Sequence, residues 1–190
     1  MTIPYRSRFY LNELCFSGRL SAQARTPEMQ RLMGEFLHQR GEEFNDQVAD
    51  FLVQHVGDGV IVERRVQGIG ALRKSKGPPG DIDVLVIDLG ERRVMVIECK
   101  DFAAAHMPHQ IVNELENLFL GKGGKESKVA RRAAWVREHL DAVLEWYKVK
   151  RTGRWKVEPL IVVSQELFTP YLRRSPIRIL SFDALMGEQG

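Results

Sequence analysis

Two short apolar runs, Val84 to Ile87 and Val94 to Ile97, stand close together in the chain and carry charges at their outer ends. Gly80-Asp81-Ile82-Asp83 leads into the first, and Glu98-Cys99-Lys100 follows the second. Runs this short, rich in Val and Ile, fit strands buried on both faces better than helices. Gly90-Glu91 between them supplies a turn. Taking three carboxylates and a lysine out of water at one end of a buried hairpin costs several kcal/mol unless they pair or hold a cation. The pattern therefore fixes a hairpin and marks a site on it.

The register follows from the turn. With Gly90 and Glu91 as a two-residue connection, Leu89 faces Arg92, Asp83 faces Glu98 and Asp81 faces Lys100. Alternation puts these four charged side chains on one face, with opposite Cβ atoms about 5 Å apart. Two carboxylates so close repel unless a cation lies between them. A hard divalent ion, Mg2+ or Mn2+, takes one or two carboxylates plus phosphate oxygens and waters. Lys100, one pleat beyond Glu98, reaches a water or phosphate oxygen at the same ion. That is a constellation for metal-assisted attack on a phosphodiester.

The flanking segments give the fold class. Thr26-Pro27-Glu28 starts a helix that runs to about His55, with a possible break at Gly41. Val60 to Val66 reads as a strand, and Gly68 to Gly80 as loop. A short helix covers Gln110 to Leu120, and a long one, with an apolar stripe from Val129 to Tyr147, covers Lys125 to Lys148. Val157 to Val163 and Ile177 to Ser181 are strands, and Phe182 to Gly187 a last turn of helix. The order αβββαββ implies an α/β fold with a mixed central sheet flanked by helices.

At 190 residues and 44% hydrophobic, the chain suits one full-sized core, placed at 26–190. Residues 1–25 read as an arm or the seam to a longer parent protein. Cys15 and Cys99 are the only cysteines, so no disulfide framework or cysteine zinc site follows, and a reducing cytoplasmic compartment is the default. No stretch approaches about 18 consecutive apolar residues, so no membrane partner is expected. The net charge is only +3, but eleven Lys/Arg against four Asp/Glu fall between Lys122 and Lys156. From Glu28 to Asp58 the count is two Arg against seven acids. Lys125, Lys128 and Arg132, with Arg131 beside them, form a basic helical stripe suited to phosphates.

Asp83, Glu98-Cys99-Lys100 and the surrounding order of elements resemble the PD-(D/E)XK nuclease superfamily, in the flavour of Mrr-type and nuclease-related (NERD-type) domains. The resemblance covers roughly residues 27 to 181. It implies a restriction-endonuclease-like core and Mg2+-dependent (or Mn2+-dependent) hydrolysis of DNA, less often RNA, in defence, repair or restriction. Asp83 and Glu98 would be metal ligands, the Cys99 backbone carbonyl a further one, and Lys100 would orient or activate the attacking water. Many relatives carry a glutamate on the first helix. Here Asn45, a neutral substitute, occupies the margin where it is expected, so the helix acid is either Glu42, the next nearest, or absent. Asp81 is a substitute carboxylate, and Gln110 an accessory residue, although Glu114 stands where some branches have tyrosine. A double-strand cut would need two such sites, hence a homodimer or a larger protein.

Two rival readings remain. Gly70-Ala71 followed by Asp81-Ile82-Asp83-Val84 resembles the nucleotidyltransferase pattern, with Glu98 as third acid, yet its serine is replaced by Ala71. The other rival is a nuclease fold retained for DNA binding or assembly alone. His106 and His109 read as loop residues, and Trp135, Trp146 and Trp155 as packing residues.

Overall fold

A computed structural model describes residues 26–55, 57–69, 80–102, 105, 107–120 and 123–187. The expectations for the arm at 1–25, for Cys15, for Gly70-Ala71 and the loop through Pro79, and for His106 lie outside these residues. Five strands, β1 (Val60–Val66), β2 (Ile82–Asp88), β3 (Arg93–Lys100), β4 (Lys156–Val163) and β5 (Arg178–Ser181), lie side by side in chain order. The first three pair antiparallel, whereas β3–β4 and β4–β5 are parallel. Around them the described residues form α1 (Pro27–His55), α2 (Pro108–Phe119), α3 (Lys125–Glu138), α4 (Leu140–Trp146), α5 (Thr169–Leu172) and α6 (Phe182–Gly187). The chain is thus an α/β protein with a five-stranded mixed sheet flanked by helices.

The hairpin register is the one the turn arithmetic gives, running from Val84↔Ile97 to Asp88↔Arg93. Asp88 Oδ1 accepts the Glu91 N–H at 2.9 Å and closes the turn. Alternation along β2 and β3 then divides the apolar side chains between two half-cores. Leu85, Ile87, Val94 and Val96 pack with α2, α3 and α4, whereas Val84, Val86, Ile97 and Cys99 pack with α1 and α6.

Helix α1 begins where expected, with Thr26 Oγ1 accepting the Met29 N–H at 3.2 Å. It passes Gly41 unbroken, because a helix interior tolerates glycine at about 1 kcal/mol. Its second half buries Phe44, Val48, Ala49 and Leu52, while Met29, Leu32 and Phe36 in the first half are exposed. The single helix expected from Lys125 to Lys148 is two. At His139 the backbone leaves helical geometry (φ −111°, ψ 23°). The His139 ring stacks on Trp135 with its Nδ1 2.9 Å from the Trp135 carbonyl, which also accepts the His139 N–H at 3.0 Å. No helix among the described residues is long and apolar enough to cross a membrane.

Candidate active site

The β2–β3 ladder stops at Val84↔Ile97, and the next donor on β3, the Cys99 N–H, goes instead to a side chain. Asp83 Oδ2 accepts it at 2.9 Å. The carboxylate thereby takes the bond that a continued β2 backbone would have made. A strand residue directs its N–H and C=O to the same neighbour, so the Cys99 carbonyl also points toward the Asp83 side. Asp83 and Glu98 are close enough to repel. Burial, and next the charge of Glu98, push the Asp83 carboxyl up to about 6, against the lowering effects of the Cys99 N–H, Arg132 and Lys125.

Glu98 is only 2% exposed and is fully engaged. Lys125 Nζ donates to its Oε1 at 2.5 Å, and the Arg132 guanidinium donates to its Oε2. The two cations lie two helical turns apart on α3, hence on one face. Backbone packing aims that face. A Cβ on Gly124, which caps α3, would come within 3.1 Å of the Phe119 backbone, so any larger residue would push the start of α3 away from the end of α2. Gly80 lies against Arg132 in the same way: it has φ +92°, and a Cβ there would sit 3.2 Å from Arg132 NH2.

Lys100 shares this face. Its pKa is lowered, first by burial and then by Lys125, with Glu98, Asp83 and Asp101 acting in the opposite direction. Among the described residues it forms no ion pair. The chain just beyond is pinned to the end of β4: Ser164 N–H donates to the Lys100 carbonyl at 3.2 Å, and Ser164 Oγ accepts the Phe102 N–H at 3.1 Å. Arg40 of α1 reaches Asp101 at 2.6 Å.

Several expected members lie elsewhere. Asp81 precedes β2 and is exposed, and Lys100 pairs with Val163 of β4 rather than with it. The cause is the turn at Gly80 and the Asp83 side chain closing the ladder. Glu42 is exposed, with His38 3.7 Å away. It belongs to the helix on the other face of the sheet, so no α1 acid joins Asp83 and Glu98. Asn45, on the same helix, is likewise across the sheet from them. Gln110 caps α2, its Oε1 accepting the Met107 N–H at 3.2 Å. Glu114 is buried and accepts the Thr169 hydroxyl at 2.5 Å.

The basic stripe divides. Lys125 and Arg132 point to Glu98 instead of outward, while Arg131 is exposed and Lys128 half-buried. Trp135 and Trp155 are packing residues as expected, but Trp146 is 56% exposed. Arg132 and Lys125 were not expected as neighbours of the acids, nor Asp101 beside Lys100. The first two were legible in principle, because a buried Glu98 needs a counter-charge.

The described residues hold no group of three or more His, Cys, Asp and Glu side chains able to bind a metal. The donors present are two carboxylates and one carbonyl. Their chemistry suits a hard divalent ion that keeps several waters. Its charge would add to a face where Lys100, Lys125 and Arg132 already outnumber Asp83 and Glu98. No protein-family model, curated protein or solved structure matches the chain.

Proposed function

We propose that this chain is a metal-dependent nuclease of the PD-(D/E)XK kind, built on a restriction-endonuclease-like core and acting on DNA in preference to RNA. The observation that carries the reading is the common face of Asp83, Glu98 and Lys100 at the end of β2 and β3, roofed by the basic start of α3. An antiparallel β1–β2–β3 meander followed, after helices, by the parallel β4 and β5 supports the core.

A magnesium or manganese ion held by Asp83, Glu98 and the Cys99 carbonyl would supply charge neutralisation at the scissile phosphate and polarisation of the attacking water. The Cys99 N–H fixes the Asp83 carboxylate in place for that role. Lys100, half-buried and without an ion pair among the described residues, donates to the attacking water or to a phosphate oxygen, and its lowered pKa eases loss of a proton. Lys128 and Arg131, farther round α3, hold the backbone phosphates.

Nicking of supercoiled plasmid in Mg2+ or Mn2+ tests the reading. Lys100→Ala should slow nicking by about 100-fold or more, and Asp83→Asn should do the same. Metal-dependent cleavage undiminished in Lys100→Ala would remove that residue from the mechanism. A binding module is the second reading, favoured by the complete engagement of Glu98 by side chains. Salt-sensitive DNA binding without cleavage, in wild type and variants alike, would select it. Nucleotide incorporation would select the transferase, against which the exposed position of Asp81 already counts.

A further inference from the structure

Both oxygens of Glu98 are occupied by protein cations, and this bears on when a metal can bind. The inference rests on the nuclease reading above. On one face stand two carboxylates, Asp83 and Glu98, and three cations, Lys100, Lys125 and Arg132. A divalent ion entering this arrangement meets an existing excess of positive charge, in a site too buried for water to screen it well. Each Glu98 oxygen already accepts a charge-assisted bond, so a metal ligated there would sit against Lys125 and Arg132 unless they move away. Both cations sit on the helix that also carries the half-buried Lys128 and the exposed Arg131. A phosphodiester backbone laid along α3 would offer Lys125 and Arg132 an alternative anion at the same moment that it adds the negative charge the metal needs.

We infer that Lys125 and Arg132 form an exchangeable clamp on Glu98, released by the nucleic-acid backbone, so that divalent metal and polyanionic substrate bind as a coupled pair and each only weakly alone. Lys125 is the partner better placed to leave, being 22% exposed against 12% for Arg132. Arg132 is backed by Gly80.

The measurement is Mn2+ affinity of the full chain by electron paramagnetic resonance, with and without a cleavage-resistant phosphorothioate duplex. For the wild type, the duplex should tighten Mn2+ binding by on the order of tenfold or more. Lys125→Gln should bind Mn2+ tighter than wild type by a similar factor without duplex, and gain less when duplex is added. Lys150→Gln removes an equal charge at an exposed position away from Glu98 and should leave the duplex-free affinity near that of wild type. Arg132→Lys, which keeps charge but loses the fork, provides a second variant should Lys125→Gln fold poorly, and should also weaken the coupling.

Equal Mn2+ affinity in wild type and Lys125→Gln, with no effect of duplex, overturns the clamp while leaving the metal site intact. The clamp also fails if Lys150→Gln matches Lys125→Gln, since bulk charge would then explain both. Binding that is unaffected by Glu98→Gln and Asp83→Asn, or absent throughout, overturns the nuclease reading and the clamp with it.

Discussion

Arg132 on α3 and Glu98 on β3, 34 residues apart in sequence, form an ion pair in which the acid is 2% exposed. Breaking a buried pair from one side leaves an uncompensated charge, at about 3–5 kcal/mol. Arg132→Leu should therefore destabilise by about 3 kcal/mol, the lower end because Lys125 remains. Glu98→Gln combined with Arg132→Leu should cost less than the sum of the single changes. Urea unfolding of the four proteins in the cycle checks this, and simple additivity would mean the pair is uncoupled.

Asp83 gives the stability curve a recognisable slope. Its folded pKa is raised to about 6 from an ordinary 3.8. Between these values the folded chain binds more protons than the unfolded one, so stability falls as pH rises. The contribution is fully present below about pH 4 and lost by pH 6 to 7, on the order of 3 kcal/mol in all. Asp83→Asn should flatten that segment of the profile. Metal affinity should run the other way, weakening as pH drops below about 6 because the ion competes with a proton for this carboxylate.

Gly80 carries two constraints at once, φ +92° and the guanidinium of Arg132 against its Cα. Gly80→Ala should cost more than about 1 kcal/mol and weaken the Arg132–Glu98 coupling in the same urea cycle. If the coupling energy in the Gly80→Ala background equals that in wild type, Gly80 serves the backbone alone.

The Cys99 thiol is buried, and burial first, then Asp83 and Glu98, push its pKa well up. It should react with a thiol reagent only through unfolding. Peptide mapping after timed labelling should find Cys99 unmodified in native buffer and labelled in urea. Rapid native labelling would contradict its place beneath α1.

Glu114 accepts the Thr169 hydroxyl at 2.5 Å and lies within 3.4 Å of its N–H. Glu114→Ala should lower stability by about 1–3 kcal/mol, the cost of stranding buried donors. Thr169→Val should cost less in that background than in wild type, as thermal melts of the four combinations would show.

How much of the molecule is legible in its sequence depends on how local the cause is. The hairpin register follows from turn and alternation, both short-range, and Val84↔Ile97 pairs as the arithmetic requires. The α1 start is written in Thr26 and Pro27. The division of Lys125–Lys148 at His139 is not, because the apolar stripe runs on through it without a glycine or proline to mark the break. Whether α1 supplies an acid, which the sequence leaves as Glu42 or none, turns on a global cause: which face of the sheet a helix covers is a property of the assembled layers. Glu42 has a suitable place on the helix surface, but the helix itself lies across the sheet from Asp83. Lys125 and Arg132 are plainly basic in the sequence and read as a stripe for phosphates, although the neutralisation of a buried Glu98 calls for partners of their charge.

Successive residues of β3 serve opposite sides of the sheet, so Glu98 and Cys99 are neighbours in sequence and strangers in packing. The sheet acts as a partition. Drift among Val48, Leu52 and their contacts changes how firmly the chain holds together, whereas drift around Arg132 and Lys125 changes what charge the other side presents. Packing beneath α1 can thus change without touching the charged groups, whereas on the α3 side stability and charge change together, as at Arg132.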